Sequence, residues 1–299
     1  MPVSSILNPK NDVAFKKLFG TEPNADLTLE LLNYALSAHL ENPLVELTFP
    51  DTKQLPRNHG DKSSHLDVFC KDERGHRYIV EMQVEPDQHF SQRAQYYASK
   101  SFFAQLEEGQ QYEQLAHVIF LAFTNFALFP EKKAYKSNHA ILDLVTHEND
   151  LEHLRFTFVD LAGFSKQTQN KPIAQLNQEE KLYLFLRKAE KLTPKEFEML
   201  TRNNPTLQKL TKQLQRQYWS KQELAFYDAE EKRQRDTLSL TTQAEARGLQ
   251  QGMQKGLQQG MQKGEERGRQ ALLKQLVAQG TLTQRQADAL LQQPLKVFS

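Results

Sequence analysis

The segment HLDVFCKDERGHRYIVEMQVE constrains the fold more tightly than any other stretch of the chain. Leu66 to Lys71 and Tyr78 to Glu85 have strand character and flank a short turn containing Gly75, which predicts a β-hairpin. Side chains alternate along a strand, so Glu81 and Gln83 share one face, and Val80, Met82 and Val84 share the other. The length of the turn then decides where Asp67 falls. A two-residue turn would put Asp67 on the face away from Glu81. A three-residue turn, Glu73-Arg74-Gly75 with Gly75 left-handed, sets Asp67 opposite Glu81, about 5 Å away across the strands.

Two facing carboxylates repel unless something positive lies between them. A magnesium ion does this well, since it takes one or two carboxylates plus waters and phosphate oxygens. It can also activate a water and stabilise charge on a phosphate. Gln83, two residues on, could orient that water or touch the phosphate. The spacing fits a solvated acidic hairpin equally, and the residues alone leave both readings open. The helix expected from Gln88 to Glu107 would make the polar row unusual if it covers that face.

Around the hairpin the chain alternates helix and strand. Asn11 or Asp12 can cap a first helix bearing Phe15, Leu18 and Phe19 on one face, and Gly20 stops it. A second helix is expected from Ala25 to His39, and strand character begins near Leu44 and Val45. A polar interval follows, Asp51 to Ser64. His117 to Thr124 and Arg155 to Leu161 are further strand candidates. After Leu176 the strands stop, and Glu179–Glu190, Pro194–Thr201 and Thr206–Trp219 read as helices, continuing through Tyr227–Asp236. These patterns divide the chain into an α/β domain over residues 1–175, a helical region over 176–240 and a tail over 241–299.

The tail repeats. Gly248, Gly252, Gly256, Gly260, Gly264 and Gly268 recur every fourth residue. On a helix of 3.6 residues per turn each step advances about 40°, so the glycines trace a slow spiral. Each costs a helix about 1 kcal/mol relative to Ala. The stripe is either a packing surface for a partner helix, giving a homodimer, or a flexible Gln-rich linker. Ala271–Gln279 and Thr283–Gln292 should form a terminal helical hairpin around Gly280.

Net charge is +1, which excludes a generic polyanion binder, but Gln208 to Leu276 holds thirteen Lys/Arg against eight Asp/Glu. That mild bias suits nucleic acid or a solvated helix face. Apolar runs such as Val118 to Phe123 are far too short to cross a membrane. No signal segment is evident at the amino terminus, and the single Cys70 excludes an internal disulfide, so a cytoplasmic location is expected. Cys70 itself reads as strand packing. His89, His117, His139, His147 and His153 have no metal-ligand spacing, and neither a P-loop nor a zinc cysteine pair is present.

The chain resembles the Rpn family of recombination-promoting nucleases, transposase-related proteins of the PD-(D/E)XK nuclease superfamily. The resemblance is carried by NPKNDVAFKKLFG, by LDVFCKDERGHRYIVEMQ, by QRAQYYASKSFFAQLEEGQQY and by the strand HVIFLAFTNFALF. It covers roughly residues 8 to 165. It implies a restriction-endonuclease-like core, a mixed central sheet flanked by helices, followed by an all-helical carboxyl-terminal region. It also implies Mg²⁺-dependent DNA cleavage of low sequence specificity that promotes recombination. By this likeness Asp67 matches the metal-binding Asp and Glu81 the second carboxylate. Gln83 stands where the superfamily usually has Lys, a departure common in this family that removes a positive charge near the phosphate. No Pro precedes Asp67, which matters less because Pro is not a ligand.

Asp12 lies in the first motif, as a helix cap or as support for the metal site. Lys16, one turn on, is either solvated or set against phosphate. Gln92 and Arg93 resemble the helix that borders the active site in related nucleases and are expected to hold DNA; Tyr97 reads as core. A second class of function stays open: a catalytically weak DNA-binding or assembly protein that keeps the nuclease fold. A transposase proper would need a recognition domain that the sequence does not display.

Overall fold

The computed structural model describes residues 6–50, 66–106 and 109–292. The expected polar interval at 51–64, and residue 107 at the end of the expected third helix, lie outside them. Strand β1 (Val68–Lys71) and strand β2 (Arg77–Gln83) form the hairpin, antiparallel, from Val68 opposite Val80 to Lys71 opposite Arg77. The turn is the three-residue one, with Gly75 at φ +80°. Its side-chain support is Asp72, buried, whose carboxylate accepts from the N–H groups of Arg74 and His76 and from the Tyr78 hydroxyl. Register therefore sets residue 67 against residue 81, as the turn length requires.

Three more strands complete the sheet: β3 (Val118–Thr124), β4 (Lys136–Ile141) and β5 (Leu151–Asp160). Their order is β1-β2-β3-β5-β4, with β2, β3 and β5 parallel and the two outer strands antiparallel to their neighbours. Every residue of β3 is buried, as expected of a parallel strand covered on both faces. Helix α3 (Phe90–Phe103) lies on one face. Its Phe90, Ala94 and Ala98, four residues apart, pack on Ile79, Val118, Phe120, Ala122 and Phe158. The opposite face, with Val68, Cys70, Tyr78, Val80, Leu121 and Phe123, meets α1 (Asp12–Phe19), α2 (Ala25–Ala35), α4 (Leu161–Gln167) and α5 (Gln178–Lys188). Helices α6 (Pro194–Thr201) and α7 (Pro205–Leu214) add Leu200, Leu207, Leu210 and Leu214 to this same core.

Leu44 and Val45 form no strand. The Leu44 main chain is satisfied instead by the Asn33 side chain, which bonds both its N–H and its carbonyl. Strand pairing comes later, as a single bridge between Thr48 and Lys71. Helix α2 ends at Ala35, four residues early, and His39 closes a turn on Leu36. Strand β4 was not legible: KSNHAI is too polar to alternate cleanly, and its place is set by pairing with β5.

The described contacts gather into two compact units, residues 1–234 and 235–299, with the division inside helix α8 (Lys221–Ala278). In the second unit α8 ends before Gly280 at φ +74° and returns as α9 (Gln284–Gln292). Leu273 and Ala287 are buried there. The glycine repeat is helical, and a Cβ at any of its six glycines would meet nothing within 4 Å. No helix among the described residues is long and apolar enough to cross a membrane.

Candidate active site

At the carboxyl-terminal end of β2 the apolar face of the sheet is interrupted. Phe69 and Ile79 are buried under α3, and the next residue on that face is Glu81, 6% exposed. Its neighbour on β3 is Ala122, whose short side chain leaves room for a carboxylate. Asp67 stands one residue before β1, where the ladder has stopped. Its N–H donates to Glu81 Oε1 at 3.3 Å, and its own Oδ2 accepts the N–H of Met82 at 2.9 Å. A side chain thus takes the main-chain donor at the point where the hairpin opens, and each carboxylate is anchored on the backbone of the other's strand.

Helix α1 reaches the same point from the opposite face of the sheet. Its cap is Asn11, whose Oδ1 accepts from Val13 and Ala14. Asp12 is therefore free of capping and turns to Lys16, one helical turn on, at 2.9 Å. Lys16 Nζ also lies 3.4 Å from Asp67 Oδ1. Gly20 caps the helix, and a Cβ there would come within 2.8 Å of the Lys16 carbonyl oxygen, so the position favours glycine.

Helix α3 supplies a second cation. Arg93 donates to Gln83 Oε1 at 2.6 Å and to Asp87 at 2.9 Å, and its guanidinium lies over the Phe90 ring. Gln83 Nε2 donates to the Glu85 carbonyl. Gln92 is different: it sits exposed on the outer side of α3, bonded to Ser91, and does not line the cleft.

Asp12, Lys16, Asp67, Glu81, Gln83 and Arg93 line one cleft of about 450 Å³. Sequence reasoning missed part of its wall. Lys10 lies there, buried, with its ammonium on the last carbonyls of α5, and Glu230, Arg233 and Gln234 enter from α8. Their spacing of three and four residues marks one helix face, but only the fold shows what that face meets. The tie between α8 and α1 is Asn11 again, whose Nδ2 donates to the Tyr227 carbonyl and to Glu231. Lys17, paired with Glu223 and lying over the Trp219 ring, fastens the same two helices.

The carboxylates are poised unequally. Burial pushes Glu81 up to about 7, against the pull of the Asp67 N–H and of Arg93 and Lys16. Burial, then the charge of Glu81, holds Asp67 well above the usual carboxylate range. For Asp12, burial is outweighed by hydrogen bonds from Asp67 and Lys16, and the group sits below its ordinary value. The two groups are thus shifted in opposite directions, Asp67 up and Asp12 down. Lys16, although partly buried, is raised by Asp67 and Asp12 and stays charged.

The cleft offers carboxylate oxygens and neither thiol nor imidazole, which fits a hard dication in kind. Among the described residues no group of three or more His, Cys, Asp or Glu is gathered for a metal. The carboxylates of the cleft that could hold such an ion are Asp67 and Glu81, side by side at the end of the hairpin.

No curated protein and no solved structure matches the chain. A family model, PD-(D/E)XK nuclease family transposase, matches residues 9–244, which span the sheet, the cleft and the α8 residues that line it. On that match the chain belongs to the PD-(D/E)XK nuclease family transposases.

Proposed function

We propose that this chain is a metal-dependent DNA endonuclease in which Asp67 and Glu81 hold Mg²⁺. The observation that supports it most is the pair of buried carboxylates side by side at the open end of the hairpin, each bonded to the other strand's backbone, with Glu81 held near 7. Burying two like charges together is unfavourable unless something compensates. The ion would polarise the scissile phosphate and lower the pKa of an attacking water. The lining carries five acidic residues, Asp12, Asp67, Glu81, Glu85 and Glu230, against four basic ones, Lys10, Lys16, Arg93 and Arg233. A dication reverses that balance and lets a phosphate enter.

The chain's own groups have separable roles in this reading. Arg93 keeps the Gln83 amide oriented, so that Gln83 can touch the phosphate or the water. Asp12 holds Lys16, and Lys16 can leave Asp67 for a phosphate oxygen when the cation arrives. The tail is proposed as a homodimer element, since Leu249, Met253, Leu257 and Met261 remain 60–77% exposed beside the glycine stripe.

One observation favours the weaker alternative, a DNA-binding or assembly protein with little catalysis. Lys16 already neutralises Asp67, and both ends of the Gln83 amide are engaged. Plasmid nicking decides. Wild type with Mg²⁺ should nick supercoiled DNA, chelator should stop it, and Asp67→Ala and Glu81→Ala should each lose at least about 100-fold. Binding without nicking by the wild-type protein would establish the alternative.

A further inference from the structure

We propose that Arg233, on helix α8, is a DNA phosphate-positioning residue of this cleft, so that the helical region completes the substrate site. The inference rests on the nuclease reading for its substrate but on different residues.

Arg233 is 70% exposed at its side chain, unlike the other cations of the cleft, which are at most about half as open. Exposure usually leaves an arginine free to wander, with side-chain entropy opposing any fixed contact. Here Glu230, only 12% exposed, grips it at two points: Nε donates at 2.8 Å and Nη2 at 2.6 Å. Glu230 is itself also bonded by Gln234. The fork is held at the rim, and Nη1 makes no hydrogen bond among the described residues. A guanidinium fixed on one edge with its outer donor unspent suits a phosphate oxygen, which a planar fork recognises better than an ammonium does.

Its position gives the contact a purpose. Arg233 lines the same cleft as Asp67 and Glu81, and its charge acts on Asp12 from α1 and on Glu85 beyond β2. Those two residues belong to other elements, so Arg233 borders the cleft as well as its own helix. An ordinary solvated i,i+3 pair would contribute little and would face water. The tethers Asn11–Tyr227 and Lys17–Glu223 fix α8 to α1 and so fix the distance from Arg233 to the carboxylates. A strand whose phosphate reached Asp67 and Glu81 would present a neighbouring phosphate at this rim.

The test uses the full chain with Arg233→Ala and Arg233→Lys. Binding of a labelled duplex is followed by anisotropy in chelator across about 50 to 200 mM salt, and plasmid nicking kinetics are followed with Mg²⁺. For Arg233→Ala we expect the salt dependence of binding to fall by about one ion per site and KM to rise about tenfold, with kcat within about twofold of wild type. Arg233→Lys should restore the salt slope and only part of the KM, because it returns the charge without the fork. Thermal unfolding of both variants should stay at the wild-type midpoint. An unchanged slope and KM in Arg233→Ala would overturn the proposal. Wild type that binds DNA but does not nick would sink the nuclease reading and leave Arg233 to be judged on the slope. Wild type that does not bind DNA would overturn both.

Discussion

Replacing Glu81 by Gln should stabilise the metal-free protein, although the residue lies in the most constrained part of the sheet. Glu81 is 6% exposed, and burial lifts it from the ordinary 4.5 to about 7. At about 1.4 kcal/mol per pH unit, ionising it in the folded state costs about 3 kcal/mol. The sign follows from the direction of the shift. A raised carboxyl leaves stability intact below 4.5, and stability is lost as pH rises through 7. Gln carries no charge at any pH and keeps an oxygen for the Asp67 N–H, now at 3.3 Å. Removing the charge also relieves Asp67, for which Glu81 is the second source of elevation after burial. Against this, one buried amide N–H left without an acceptor costs about 1 kcal/mol. The expected outcome is a net gain of about 2 kcal/mol at pH 8 and a net loss of about 1 kcal/mol at pH 4.5.

Urea unfolding of both proteins in chelator, at the two pH values, reads this directly as a shift of midpoint with unchanged slope. Adding Mg²⁺ at pH 8 should then raise wild type by about 2.7 kcal/mol at a hundredfold excess over its dissociation constant and leave Glu81→Gln where it was. A Gln variant less stable than wild type at pH 8 in chelator would refute the reasoning about the buried pair. Equal stabilisation of both proteins by Mg²⁺ would remove Glu81 from the metal site.

Three further outcomes follow from single contacts. Gly75→Ala should cost about 1 kcal/mol in urea, entirely as backbone strain at φ +80°, because an added Cβ meets nothing within 4 Å; no loss would mean that the turn relaxes. Asn11→Ala removes the α1 cap and the bonds to Tyr227 and Glu231, so it should cost about 2–3 kcal/mol, and a loss below about 0.5 kcal/mol would contradict its role as the pivot between α1 and α8. The full chain should sediment as a dimer where a chain ending near Thr241 is a monomer; if both are monomers at micromolar concentration, the repeat is a single exposed helix with no partner of its own kind.

The hairpin was legible because parity is unforgiving. A one-residue change in the turn would flip Asp67 off the face of Glu81, and Gly75 marks the one length that avoids this. The buried run of β3 and the apolar spacing of α3 were legible for the same reason, since each shows its period in its own residues. What was hidden depends on partners distant in sequence. Leu44 looks like strand until Asn33 takes its main chain. Asp12 looks like a cap until Asn11 occupies that role. Glu230, Arg233 and Gln234 look like any charged helix face, and they matter because Asn11 and Lys17 fix that helix against the site from more than 200 positions away.

Gln83 puts a neutral amide where the superfamily usually has a lysine, and so removes a positive charge from the strand. The loss is local to the strand and not to the cleft. Lys16 arrives from one face of the sheet, 3.4 Å from Asp67. Arg93 arrives from the other face and bonds Gln83 itself at 2.6 Å. Both lower the cost of ionising Glu81. A strand lysine would have brought its charge on a flexible stem, whereas Arg93 is held by Asp87, Gln83 and the Phe90 ring, and its field is therefore fixed in direction. Positive charge at such a site need not come from the strand that carries the carboxylates. It has only to reach the same few ångströms, and in this chain two helices deliver it there from opposite sides of the sheet.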